Sequence, residues 1–89
     1  MKERDGAAIL VRAVEGGLVD EMLLEYARSD RLSRDIPLLR STIEARLSEI
    51  VGRKVEVFLS FDPTETAAQR RVRDVLRARY TDLLMEHGL

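Results

Sequence analysis

Apolar residues recur along this chain at two spacings, and the switch between them marks out its elements. Leu39, Ile43, Leu47 and Ile50 repeat every three to four residues, the period of one helix face, and predict a helix over 36–51. Asp35 is a suitable N-cap for it, Pro37 fits its first turn, and Gly52 supplies a left-handed stop. Leu18, Val19, Met22, Leu23 and Tyr26 share a similar arc and predict a helix over 18–29, joined to the next by the polar residues 30–35. In the last third, Ala68, Val72, Val75, Leu76, Tyr80 and Leu83 form a third stripe. Asp62-Pro63-Thr64-Glu65 reads as a capping box with proline at the first helical position, so this helix is expected from 63 to about 87.

Between the second and third stripes the period drops to two. Over 53–61, Val55, Val57, Leu59 and Phe61 point one way, and Lys54, Glu56, Phe58 and Ser60 the other, which predicts a strand. Residues 7–14 (Ala-Ala-Ile-Leu-Val-Arg-Ala-Val) suit either helix or strand, with the alanines tilting the balance to helix; Gly16-Gly17 ends the element. The expected architecture is a helix-dominated α+β fold: a flexible lead-in over 1–6 and one small domain over 7–89. A lone strand leaves backbone N–H and C=O groups to be satisfied. Its partner is either 7–14 or the same strand of a second copy across a twofold axis.

Composition narrows the function more than the fold. A chain of 89 residues holds one domain with a thin core, and without cysteine no disulfide reinforces it. Association with a copy or a partner is the remaining common source of extra burial. Fifteen basic and sixteen acidic residues leave a net charge of −1, which disfavours a protein devoted to gripping phosphate backbones. One histidine, His87, near the C-terminal end, makes a poor general base and rules out multi-histidine metal clusters. No nucleophile–base pair, phosphate loop or membrane-length apolar run stands out, so the expectation is a non-enzymatic, cofactor-free, cytoplasmic protein.

Candidate contact residues follow from the strand. Val55, Val57, Phe58, Leu59 and Phe61 are the interface candidates, with Phe58 an aromatic on an otherwise polar face. Arg79 joins them because it falls inside the last apolar stripe. It must either snorkel to water along its stem or reach an acid on a second subunit. Arg70, Arg73 and Arg77 share a helical face and form an alternative nucleic-acid surface, although Asp74 sits among them at ion-pair spacing and no aromatic is interleaved for base stacking.

Leu47-Ser48-Glu49-Ile50-Val51-Gly52-Arg53-Lys54-Val55-Glu56-Val57, with Asp62-Pro63 beyond, resembles two known patterns. One is the helix–Gly–strand stretch in the C-terminal part of ATP synthase delta subunits; the other is the last helix and strand of the N-terminal interaction domain of bacterial replication initiators. Both resemblances imply protein-interaction modules. Neither extends beyond this short stretch, and no residue role is carried across. The sequence alone therefore points to a small interaction or assembly module, homo-oligomeric or part of a larger complex, ahead of a nucleic-acid-binding regulator.

Overall fold

The computed structural model of the chain describes residues 2–29 and 36–89. Its elements are α1 (Lys2–Glu15), α2 (Asp20–Arg28), α3 (Ile36–Val51) and α4 (Ala67–His87). The α+β expectation is overturned, because no strand occurs among the described residues. Residues 7–14 are helical, within a helix that begins at Lys2, so they do not pair with 53–61 as a strand.

α1 and α2 each pack on both α3 and α4. Leu10, Val11 and Val14 of α1 meet Leu23 of α2, Ile43 and Leu47 of α3, and Val72, Leu76 and Leu83 of α4 in one core, completed by Val19 and Val57. α1 turns into α2 through paired backbone bonds: the Leu18 N–H donates to the Ala13 carbonyl at 3.0 Å, and the Gly17 N–H to the Val14 carbonyl at 3.1 Å. This is a Schellman stop, and Gly17 takes its left-handed position at φ 94°.

α3 keeps its sequence-predicted extent and ends on Gly52 at φ 71°. The expected Asp35 cap lies outside the described residues. Ile50, assigned to the inner stripe, is 40% exposed, so Ile43 and Leu47 carry the buried face. α4 starts four residues later than expected. Asp62 spends its carboxylate on Thr64, accepting from both its N–H (2.8 Å) and its hydroxyl (2.5 Å), and so makes a local turn instead of a helix cap. The capping box is Thr66 with Gln69: the Thr66 hydroxyl accepts from the Gln69 N–H at 3.1 Å, and the Gln69 amide oxygen accepts from the Thr66 N–H at 2.8 Å.

Candidate functional site

Residues 53–61 form a strap, neither helix nor strand and free of bends from Lys54 to Phe58, that runs beside α3 and on to α4. Its backbone bonds to side chains instead of to a strand. The Val55 N–H donates to Ser48 Oγ at 2.8 Å, and the Val57 N–H to Glu44 Oε2 at 2.9 Å. The Arg40 guanidinium stacks 5.0 Å from the Phe58 ring centre and also donates to Glu44 Oε2 at 3.2 Å. On the other helix, Arg77 Nη1 donates to the Leu59 carbonyl at 3.3 Å, and Arg73 lies 5.9 Å from the Phe61 ring.

The spacing has a geometric origin. Two residues of extended chain advance about 6.6 Å, and four residues of helix about 6 Å. An antiparallel strap therefore meets every fourth helix position, as Val55 and Val57 meet Ser48 and Glu44 along α3; Arg40, four residues further, reaches the ring of Phe58, and Arg77 of α4 takes the Leu59 carbonyl at the bend. Ser48, Glu44 and Arg77 thus take backbone bonds that a neighbouring strand would otherwise make. The α3 row is visible in the sequence, but only the strap explains it.

The strap's side chains follow the alternation as far as the bend at 59–60. Val57 is 1% exposed and sits in the core, with Val55 and Leu59 packed against it, while Lys54 and Glu56 face water. Of the interface candidates, these three apolar residues thus complete the chain's own core. Phe58 is half-buried beneath Arg40. Phe61, assigned to the inner face, is 69% exposed because the bend turns it outward.

Below Phe61, the Glu65 side chain is 2% exposed, with Arg73 Nη2 at 3.1 Å and Arg70 Nε at 3.5 Å. Two of the three arginines proposed for nucleic acid are thus directed to an internal carboxylate, and the third, Arg77, is bonded to the strap. The Thr64 hydroxyl and N–H hold the Asp62 carboxyl below the usual carboxylate range. The turn that presents Phe61 is therefore tied down at Asp62 and at Glu65.

Arg79 neither snorkels free nor waits for a second subunit. Its Nε and Nη2 donate to the two carboxylate oxygens of Asp20 at 2.9 and 2.5 Å, with Glu86 at 4.0 Å. This fork keeps the Asp20 carboxyl below its ordinary pKa and raises that of the guanidinium. It fastens the start of α2 to α4. The acid was legible in the sequence, but the tertiary pairing was not.

Two clefts border the strap. One, of about 260 Å³, lies between α2 and α4 under Leu59 and includes the tilted Tyr26–Tyr80 pair. The other, of about 450 Å³, runs between residues 53–57 and the first turn of α4. Among the described residues, no cluster of three metal-ligating side chains occurs and no helix is long and apolar enough to cross a membrane. No family model, curated protein or solved structure matches the chain.

Proposed function

We propose that the chain is a small non-catalytic protein–protein interaction module that assembles with its own copies or as a subunit of a larger complex. The observation that carries this reading is Phe61, an aromatic left 69% exposed on a turn pinned by ion pairs and side-chain caps. A ring held outward on a rigid turn loses little conformational freedom on binding, which suits an interface anchor. Burying what remains exposed of a phenylalanine, at about 25 cal/mol per Å², corresponds to roughly 3–4 kcal/mol. The assignment moves the aromatic anchor from Phe58 to Phe61. A cytoplasmic location belongs to the same proposal.

Light scattering after size exclusion, over about a hundredfold dilution, tests the self-assembling form. A mass above 10.2 kDa at the concentrated end, lowered by Phe61→Asp without loss of helical circular dichroism, is the expected result. A monomer at every concentration, unchanged by the substitution, would contradict it. The nucleic-acid reading is the weaker of the two because Glu65 engages Arg70 and Arg73.

A further inference from the structure

We propose that the strap's outer edge is a docking site for an extended peptide that adds to it as a strand, with acidic side chains on the incoming segment. The proposal deepens the interaction-module reading and rests on it. Along an extended chain, backbone groups alternate between two edges. The Val55 and Val57 N–H groups turn toward α3, where Ser48 and Glu44 accept them. Lys54, Glu56 and Phe58 therefore present their N–H and C=O groups to the opposite side. Among the described residues, no backbone group of these three makes a hydrogen bond within the chain. An edge of this kind is a template for another strand.

The space beside that edge is the 450 Å³ cleft, walled by the first turn of α4 from Thr66 to Gln69, bordered by Ala7 and Leu10 of α1, and floored by half-buried Val51, Val55 and Ala68 over the core. An added strand lies about 4.8 Å from the edge and can place alternate side chains on this apolar floor. A cleft with a helical wall admits a single slender chain. It obstructs a second copy, whose own edge lies behind the same wall, and this is why a peptide is the favoured occupant.

Charge sets the peptide's chemistry. Arg53 and Lys54, at the α3 end of the edge, are exposed and form no ion pair among the described residues. α4 has no acidic residue in its first turn, and its N-terminal dipole adds partial positive charge. Glu56 is the one acid on the strap side of the cleft. Carboxylates opposite Arg53 and Lys54, alternating with small apolar residues, match this surface.

The test is a titration of the whole chain, followed by amide NMR, with an acetylated, amidated heptapeptide of alternating aspartate and valine. Two control probes accompany it: the same peptide with lysine for aspartate, and one N-methylated along its pairing edge. Saturable shifts and slowed exchange at the Lys54, Glu56 and Phe58 amides are expected, with the aspartate peptide favoured by about tenfold or more over either control. Lys54→Pro, which removes an outer-edge donor that no described residue uses, should weaken binding by a similar factor. No shift at these amides at about 1 mM peptide, or equal binding of the N-methylated probe, would overturn the proposal. So would protection of the same amides in the peptide-free chain that disappears on dilution, since a second copy would then hold the edge. A mass that falls on Phe61→Asp while the peptides fail to bind would sink this inference and leave the interaction-module reading standing.

Discussion

Replacing Glu44 by alanine removes one acceptor from the row that holds the strap. Its Oε2 accepts the Val57 N–H at 2.9 Å and the Arg40 Nε–H at 3.2 Å, and the side chain is 23% exposed. A hydrogen bond to a charged partner contributes about 1.5–3 kcal/mol. Water can replace part of it at this exposure, and the i, i+4 pair with Arg40 adds about 0.3–0.5 kcal/mol. The loss should therefore be about 1–2.5 kcal/mol, or a fall in Tm of roughly 5–15 °C for a domain of this size. Glu44→Gln keeps a carbonyl oxygen for the Val57 N–H and should lose about half as much. Urea denaturation of the three chains measures the order directly, provided the m-values agree. Alanine and glutamine variants both within about 0.5 kcal/mol of the parent would show that Glu44 does not anchor the strap.

Other consequences are equally specific. Val57→Ala removes about two methylene equivalents from a site 1% exposed and should cost about 2–3 kcal/mol in the same urea assay. Gly17→Ala places a Cβ 3.1 Å from Asp20 Oδ2 at φ 94° and should lose more stability than Gly52→Ala, where φ is 71° but the space is open; thermal melts decide the ranking. Asp20 has a folded-state pKa depressed chiefly by hydrogen bonding to Arg79, so its contribution is present above the unfolded value of about 3.9 and lost as pH falls through the lower folded value. Asp20→Asn should accordingly flatten the dependence of the urea midpoint on pH in that acidic window and leave its slope near neutrality unchanged.

Local patterns in the sequence reported backbone shape well and tertiary partners poorly. The stripe of α3 and the Gly52 stop gave that helix its extent, and the alternation of 53–61 correctly placed Val55, Val57 and Leu59 inward. Extended backbone is not a strand until something pairs with it, and here the partners are helix side chains at Ser48, Glu44 and Arg77. Nothing in a single sequence distinguishes such a row from ordinary surface residues until the strap's direction is known. The capping pattern read from the sequence is Asp62 to Glu65, but a second pair, Thr66 with Gln69, follows directly after it. The Asp62–Thr64 turn left the second to start the helix. The alternation places Phe61 inward with Val57 and Leu59, but Phe61 lies past the bend at 59–60 and is exposed.

Among the described residues, α3 side chains, and no second strand, hold the inner edge of the strap. Residue-resolved amide exchange on the dilute, unliganded chain tests this arrangement most directly. Slow exchange at Val55 and Val57 alternating with fast exchange at Lys54 and Glu56 is the predicted pattern. Exchange at Val55 and Val57 as fast as at Lys54 and Glu56 would mean that Ser48 and Glu44 do not hold the inner edge, and would contradict it.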